Sequence, residues 1–350
     1  MSGQSSFRFV HRAVFNAMFL GVMICLGALE AAAEELAAGR ESTRALTSLI
    51  DFTPNKTQFQ SELTDAVQPL EEAAALIATK HETEAKARYQ EASKRAESLL
   101  KTLARGYHDE LYFLLGFARE KLEDYSGAAR AFEASLKLKR TNVLVLFRHA
   151  YVLQRSGKCE AALPEFREVL WQTRAEAHEV LYLQGECQLA LGKAEDAVKS
   201  FEAARVRNSH FVPAVRRLVA ARQELITTTT DPKLRTELER QISSDLSVIS
   251  QQNPEDRDSS LQLAGMLLRG ADPLLSKQRL KQAESLAKRF AESSAFADVK
   301  SVRLLFEAQR KQGDLAAAEQ TLKRGLKASP EATELREAAL QLDIDKGLGS

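Results

Sequence analysis

Small and apolar residues recur at fixed steps through the middle of the chain. The first clear copy starts at Gly116 and continues through Ala128, Phe132 and Ser135, at steps of 12, 4 and 3 residues. Residues three or four positions apart share one face of an α-helix, so Ala128, Phe132 and Ser135 predict one buried helical face. The longer first step has room for a turn. The pattern therefore predicts two helices packed against each other.

The same steps return along the chain at intervals of 34 and 35 residues. A small residue on the first helix lets the second approach closely, and burying the aromatic ring between them is worth roughly 1.5–3 kcal/mol. Glycines that follow the last apolar turn predict helix ends at Gly157, Gly192 and Gly313. The predicted core positions are Gly116, Ala128, Phe132, Ala150, Ala162, Phe166, Gly185, Ala197, Phe201, Ala318 and Leu322.

With this spacing the chain resembles a tetratricopeptide repeat protein. The resemblance rests on Gly116, Ala128 and Phe132 and their two following copies, which cover residues 109–211, and on an isolated copy at 299–332. The Trp and Tyr that are usual in the first helix of this family are replaced by other residues. The resemblance implies an all-α fold, an α-solenoid of stacked antiparallel helical hairpins wound into a superhelix.

The pattern divides the sequence into six segments. Residues 65–211 form the predicted repeat array of about four hairpins, and residues 212–298 predict irregular hairpins that continue the solenoid. Within the irregular region, Asp231 followed by Pro232 predicts a helix start. The other segments are 1–33, a signal peptide or membrane anchor; 34–64, a helix and loop; 299–344, a last repeat and capping helix; and 345–350, a tail.

The N-terminus has the three-part pattern of a secretory signal peptide. Basic Arg8 and Arg12 precede an apolar run over 13–29, and alanines follow at 31–33, which predicts cleavage near Ala33. The apolar run is slightly shorter than the roughly 20 residues of a comfortable membrane span. An uncleaved N-terminal anchor and a buried helix are the alternatives. Cleaved or anchored, the body of the chain would be exported to the periplasm or cell envelope.

Charge gives no indication of a nucleic-acid partner. The chain has 49 Lys and Arg against 48 Asp and Glu, a net charge of +1, and it lacks a concentrated basic stripe.

Two cysteines follow the N-terminal segment, Cys159 and Cys187, in adjacent predicted repeats. In an oxidising compartment a pair can bridge if its Cα atoms lie within about 7 Å. The alternative is two buried, inert thiols.

Familiar catalytic and metal-binding motifs are missing from the sequence. It contains no His-Glu-x-x-His or Cys-x-x-Cys pair for zinc, no Gly-x-Ser-x-Gly turn for a nucleophilic serine and no glycine-rich phosphate loop. We therefore predict no catalytic residue, no metal and no cofactor. A site assembled from residues 212–298 is the enzymatic alternative.

Aromatic residues recur beside the core positions of the predicted first helices, one residue or about 100° further around the helix. In tetratricopeptide repeat proteins this face lines the inner concave groove, so the resemblance implies an aromatic surface that binds a partner. The alternative is that these rings pack between neighbouring hairpins. The predicted groove residues are Phe113, Phe117, Phe147, Tyr151, Tyr182, Glu186, Arg155 and Arg216.

Together these features predict an exported scaffold or adaptor, not an enzyme, that binds a peptide or a segment of a partner protein in its groove. The alternative function is binding of an envelope glycan such as peptidoglycan, with the same rings stacking on sugars. We expect no nucleic-acid partner, and membrane contact only through the N-terminal segment if that segment is not cleaved.

Overall fold

A computed structural model describes residues 67–70, 72–73, 75–77, 81–102, 108–139, 141–173, 178–269 and 276–348, and every regular element in these ranges is an α-helix. This confirms the predicted all-α fold class. The helices that follow residue 81 are α1 (Glu82–Thr102), α2 (His108–Lys121), α3 (Tyr125–Leu138), α4 (Val143–Arg155), α5 (Cys159–Gln172), α6 (His178–Ala190), α7 (Ala194–Arg207), α8 (Val212–Thr228), α9 (Pro232–Gln252), α10 (Arg257–Arg269), α11 (Ser276–Ser293), α12 (Val299–Gln312), α13 (Leu315–Ala328) and α14 (Thr333–Leu348).

The described residues up to Arg217 form the first of two compact units. Within this unit α2 packs against α3, α4 against α5 and α6 against α7, which gives three helical pairs, and α1 packs against α2. The first helices of neighbouring pairs also contact one another, α2 with α4 and α4 with α6. The pairs are therefore stacked, with their first helices side by side.

The interior of a pair combines a small residue on the first helix with an aromatic ring on the second. A side-chain carbon placed on Gly116 would lie only 2.6 Å from the Phe132 ring, and one on Gly185 would lie 2.6 Å from the Phe201 ring. Only hydrogen fits in that space, so glycine is what allows the two helices to approach this closely. All eleven predicted core positions, from Gly116 to Leu322, are buried.

Left-handed turns end the first helix of the regular pairs. Gly157, Gly192 and Gly313 have φ angles of 77°, 70° and 82°, in the region that favours glycine. In each turn the amide after the glycine donates a hydrogen bond to the carbonyl five residues earlier. The turn between α2 and α3 has the same bonds but places Glu123 at this position, with a φ of 62°. A side chain there carries a conformational cost that the three glycines avoid.

The second compact unit begins at Leu218, within α8. Its helix α9 starts where the sequence predicts: Asp231 accepts a hydrogen bond from the Lys233 amide at 2.9 Å, and Pro232 occupies the first turn. From α9 to α14 each helix packs against the next one in the chain. Helix α12 also contacts α10 and α14, which places it at the centre of this group.

The closing helix α14 is longer than the sequence pattern predicts. We expect a tail from residue 345, but the helix continues to Leu348, so this prediction is wrong for residues 345–348. Two ion pairs hold the last turns, one between Arg310 and Asp345 at 2.9 Å and one between Glu319 and Lys346. Both ion pairs connect the last turns of α14 to earlier helices.

Residues 1–66 lie outside the described ranges. The signal peptide or anchor at 1–33 and the helix and loop at 34–64 therefore stay predictions, and so does export to the periplasm or cell envelope. In the part of the chain that the structure describes, no helix is both long and apolar enough to span a membrane.

Candidate functional site

All of the predicted groove residues except Arg216 lie on the first helices of the stacked pairs. Because α2, α4 and α6 lie side by side, their residues follow one another across a common surface, which we call the first-helix face. The predicted residues are Phe113 and Phe117 on α2, Phe147, Tyr151 and Arg155 on α4, Tyr182 and Glu186 on α6, and Arg216 on α8.

Three of these aromatic side chains are buried within the chain. Phe113, Phe117 and Tyr182 are only 7, 8 and 9% exposed. The ring centroid of Phe113 lies 6.0 Å from that of Phe132, and the centroid of Tyr182 lies 5.8 Å from that of Phe201. The expectation of an open aromatic surface is therefore wrong for these three. Phe113 and Tyr182 touch the large ring of the second helix, and Phe117 packs against Phe113 and Arg148. Their role in partner binding stays a prediction.

The middle pair has the most accessible rings of this face. Phe147 and Tyr151 are half-buried on α4. Arg155 is exposed one turn further along; its Nη2 donates to Tyr125 Oη at 3.1 Å, and its guanidinium carbon lies 5.3 Å from the centroid of the Tyr125 ring. This contact holds a cationic group at the end of the aromatic row.

An ion pair joins α6 to the start of α8. Arg217 donates a hydrogen bond to Glu186 and also bonds to Tyr182. Burial raises the pKa of Tyr182, and the negative charge of Glu186 raises it further. The neighbouring Arg216 is exposed. Sequence reasoning selected Arg216 and missed Arg217, because adjacent arginines cannot be told apart by repeat spacing alone.

A buried ion pair joins α2 to α4. Arg148 Nη1 lies 2.8 Å from Glu120 Oε1, and both side chains are almost completely buried. The guanidinium carbon of Arg148 lies 5.2 Å from the centroid of the Phe117 ring, within the range of a cation–π contact. Sequence reasoning missed this pair. The available signal was Arg148 itself, a charge in an otherwise apolar first helix, where it needs a partner if it is buried.

Two carboxyl groups in the first turns of α2 and α6 are disfavoured as anions. Burial raises the pKa of Glu179 to about 7, and burial together with a hydrogen bond to Asp109 raises the pKa of Glu110 to about 8. The Oε1 atom of Glu179 lies 3.3 Å from His178 Nε2. The Oε2 atoms of Glu110 and Glu179 are buried without a hydrogen-bond partner.

Two histidines of the first unit have structural partners. His149 Nδ1 lies 2.9 Å from Glu165 Oε1, which connects α4 to α5, and His178 Nε2 lies 3.1 Å from Asn208 Nδ2. Within the described ranges no group of three or more His, Cys, Asp or Glu side chains is arranged to hold a metal ion.

The second helices of the pairs carry exposed apolar side chains near their C-terminal ends. Trp171, the only tryptophan of the sequence, is 77% exposed on α5. Leu138 on α3 and Val206 on α7 are also exposed. Because these residues belong to the second helices, they are reference positions for experiments on the first-helix face.

A comparison with protein-family models matches residues 109–142 to the tetratricopeptide repeat. The match covers α2, α3 and the turn between them, and so includes the close contact between Gly116 and Phe132. The chain therefore contains a tetratricopeptide repeat, and the resemblance predicted from the spacing is confirmed.

The chain is also similar to solved structures of tetratricopeptide repeat proteins and of MamA. YrrB, described as a tetratricopeptide repeat protein with an unusual peptide-binding site, is 15% identical, with 60% of this chain and 98% of that chain covered and a TM-score of 0.46. A tetratricopeptide repeat protein from Parabacteroides merdae is 15% identical over 80% of this chain and 99% of that one, with a TM-score of 0.43. MamA from Desulfovibrio magneticus RS-1 is 15% identical over 54% and 97%, also with a TM-score of 0.43. No curated protein sequence matches the chain significantly.

Proposed function

We propose that the chain is an exported scaffold that binds a peptide or an extended segment of a partner protein against its first-helix face. The observation that supports this best is the pair of half-buried rings, Phe147 and Tyr151, on the middle of three stacked first helices. A ring held partly in the core offers a large apolar contact and loses little conformational entropy when a partner covers it.

Exposed cations on these helices would orient the partner. Arg155 is exposed one turn after Tyr151, and Arg216 is exposed on α8. Both suit carbonyl or carboxylate groups, which a peptide supplies along its length, so they favour a peptide over a purely apolar ligand.

Site-specific crosslinking tests the location of the binding surface. A photo-crosslinking side chain at position 147 or 151 should trap the partner, and one at position 171 should not, because Trp171 lies on the second helix of the same pair. Once the partner is identified, Phe147→Ala and Tyr151→Ala together should weaken its binding by roughly 10- to 100-fold, the effect of losing central aromatic contacts. Crosslinking at position 171 alone, or unchanged affinity of the double variant, would refute this assignment.

A glycan ligand is the second candidate, since half-buried rings also stack on sugars. The two functions are separated by titrating the full chain with peptidoglycan fragments and with segments of the crosslinked protein. Saturable binding of the fragments that is lost in the Phe147→Ala and Tyr151→Ala variants would favour the glycan. Binding of the protein segments alone would favour the scaffold.

Export is supported by the basic, apolar and small-residue pattern of residues 1–33. Cell fractionation followed by N-terminal sequencing of the full-length product tests it. We expect a product outside the cytoplasm that begins near Glu34, or an intact product in the membrane fraction if the segment is an anchor. An intact product in the cytoplasmic fraction would contradict export without affecting the binding proposal.

A further inference from the structure

Apolar side chains protrude at the C-terminal ends of the second helices of the three stacked pairs. Leu138 is the last residue of α3, Trp171 is the penultimate residue of α5, and Val206 is the penultimate residue of α7. These three residues are 54, 77 and 79% exposed. They are half of the large apolar residues that are exposed in the described ranges, so such exposure is concentrated at one kind of position.

The stacking of the pairs brings these helix ends to one edge of the first unit. Helix α3 packs against α2 and α4, α5 packs against α4 and α6, and α7 packs against α6. Each second helix runs opposite to the first helix of its pair, and the pairs repeat, so the second helices share one direction. Their C-terminal ends therefore follow one another. We call Leu138, Trp171 and Val206, with the charged residues beside them, the second-helix edge.

Basic residues flank both outer members of this edge. The sequence around Leu138 is Lys-Leu-Lys, and the sequence around Val206 is Arg-Val-Arg. Arg205 is half-buried and the other three cations are exposed. A cation in the last turn of a helix is favoured by the helix dipole, but the dipole gives no reason for an exposed apolar residue between two cations.

Carboxylates offset only part of this charge. Lys137 Nζ lies 2.7 Å from Glu133 Oε1, and both side chains are exposed. An exposed ion pair of this kind contributes little free energy, so Lys137 can exchange Glu133 for another anion at low cost. Near the central Trp171, the carboxylate of Glu168 accepts a hydrogen bond from Gln172. The edge therefore combines protruding apolar groups with cations at both ends.

We propose that the second-helix edge docks on a bilayer surface that contains anionic lipids. Trp171 enters the layer between headgroups and acyl chains, where indole rings are favoured, and Leu138 and Val206 enter on either side of it. The flanking Lys and Arg side chains bind lipid phosphates while their aliphatic parts remain in the apolar layer. This contact goes beyond the proposed function, because it uses the second helices, and beyond the membrane contact expected of residues 1–33.

The arrangement favours a bilayer over an acidic protein partner. The three apolar residues lie at the ends of three separate helices. A fluid lipid surface accepts each side chain separately, whereas a protein partner needs a pocket for each one at matching spacing. Attraction to anionic lipids adds to the burial of the apolar groups, and both contributions are present on the same edge.

The fluorescence of Trp171 tests this proposal, because Trp171 is the only tryptophan of the sequence. The full chain is mixed with phosphatidylcholine vesicles prepared with or without phosphatidylglycerol. We expect the emission to shift to shorter wavelength with the anionic vesicles alone, and brominated acyl chains to quench it. Insertion of the apolar run at 13–29 by itself would bind the chain to vesicles without this shift. Unchanged emission, or an equal shift with neutral vesicles, would overturn the proposal.

Removing the cations of the edge measures their contribution. The fourfold variant should need at least roughly tenfold more anionic lipid for half of the fluorescence change, since each cation near an anionic surface strengthens binding. A control variant loses four exposed cations of the second unit and should change this lipid concentration less than about twofold. Equal effects would show that net charge, not this edge, causes binding. The edge variant is Lys137→Gln, Lys139→Gln, Arg205→Gln and Arg207→Gln, and the control is Lys277→Gln, Lys281→Gln, Lys288→Gln and Lys300→Gln.

Removing the outer apolar residues keeps the fluorescent reporter in place. Leu138→Ser with Val206→Ser should raise the lipid concentration for half of the change by roughly threefold to tenfold, because less apolar surface enters the bilayer. Leu234→Ser with Leu340→Ser, at exposed positions of α9 and α14, is the matched control. An unchanged lipid requirement for the first pair would contradict insertion. A Trp171 shift caused by an acidic protein and not by anionic vesicles would assign the edge to that protein and overturn the proposal.

Discussion

The regular pairs of the first unit and the helices around α9 in the second unit are packed by different kinds of residue. In α2–α3 and α6–α7 a glycine on the first helix lies against a phenylalanine ring on the second. Helix α9 contains no aromatic residue and is buried instead through Leu, Ile, Ser and Asp side chains. These buried residues are Leu238, Ile242, Asp245, Leu246, Ile249 and Ser250.

Buried polar pairs contribute to the packing around α9 in the second unit. Arg222 on α8 pairs with Asp245 on α9, and both side chains are almost completely buried. Ser250 and Ser260 share a hydrogen bond of 3.0 Å between α9 and α10. A buried ion pair is not confined to this unit, since Arg148 and Glu120 form one in the first unit. The contacts between glycine and an aromatic ring are therefore what distinguish the regular pairs.

Removing an aromatic ring from one of the regular pairs should have the largest effect on folding stability. Phe201→Ala should destabilise the first unit by about 3–5 kcal/mol, because the fully buried ring leaves a cavity against Gly185. Urea denaturation followed by circular dichroism measures the change. Val206→Ala on the same helix is the control and should change stability little, since Val206 is exposed. Equal effects of the two changes would show that the ring is not the source of stability.

Breaking the buried ion pair tests the second region. Asp245→Ala should cost roughly 3 kcal/mol, because it leaves the Arg222 charge buried without this carboxylate. Replacing both partners with apolar residues, Arg222→Met and Asp245→Leu, should recover most of the loss. If the double variant is as unstable as the single one, the pair supplies specific contacts that apolar residues cannot replace.

The buried carboxyl group of Glu179 makes the stability of the first unit depend on pH. Because its pKa is raised to about 7 in the folded chain, the folded state keeps a proton that the unfolded state releases near pH 4.5. Stability should therefore fall as pH rises from about 5 to 8, by up to roughly 2–3 kcal/mol. Glu179→Gln should flatten this decrease in urea titrations at several pH values.

Two other groups bear on this pH profile, His178 beside Glu179 and the carboxyl of Glu110, whose pKa is about 8. The variant Glu110→Gln shows how much of the decrease belongs to the second carboxyl. Glu237→Gln is the control, because hydrogen bonds from Arg240 and Gln241 lower the pKa of this exposed group to about 2. A Glu179→Gln profile identical to that of the unmodified chain would show that Glu179 ionises normally.

Adding one methyl group to a helix glycine should lower the folding stability in the first unit and raise it in the second. Gly185→Ala should destabilise by roughly 1–3 kcal/mol, since the new carbon would lie 2.6 Å from the Phe201 ring. Gly265→Ala on α10 should stabilise by up to about 1 kcal/mol, because its nearest neighbour, Leu304 Cδ2, is at an ordinary 3.7 Å and alanine favours a helix. If denaturation shows that both variants change stability in the same direction, this difference between the two units does not exist.

The smallest expected effect concerns the turn after α2. Glu123→Gly should stabilise the first unit by about 1 kcal/mol, because Glu123 has a positive φ where the equivalent turns have glycine. Gly157→Ala is the reciprocal control and should cost a similar amount. Thermal melts of both variants measure the difference. A loss of stability in Glu123→Gly would show that the side chain compensates for its backbone conformation.

Much of the fold could be predicted from the sequence because its signals are local. The steps between Gly116, Ala128 and Phe132 report which residues share a helical face, and Asp231 with Pro232 reports a helix start, whatever lies nearby. The candidate site was harder to predict than the fold. Which rings of the first helices stay accessible depends on neighbouring side chains from other helices, and three of the five were buried by them.

Contacts between helices distant in sequence could not be predicted at all. The pair formed by Arg148 and Glu120 depends on how closely successive helical pairs stack. Repeat spacing places such residues in neighbouring pairs, but it does not specify the distance between them.

The sequence by itself determined that this chain folds into helical pairs, where the regular turns fall and which residues form the interior of each pair. Hydrogen bonds within a helix and the packing of a small residue against a large ring act between residues that are close in sequence, so both leave a local pattern. The tertiary structure alone decided which aromatic side chains keep an accessible surface, which charges are neutralised by partners, and how far α14 extends. Those outcomes follow from the separation and orientation of whole helices, which many side chains set together.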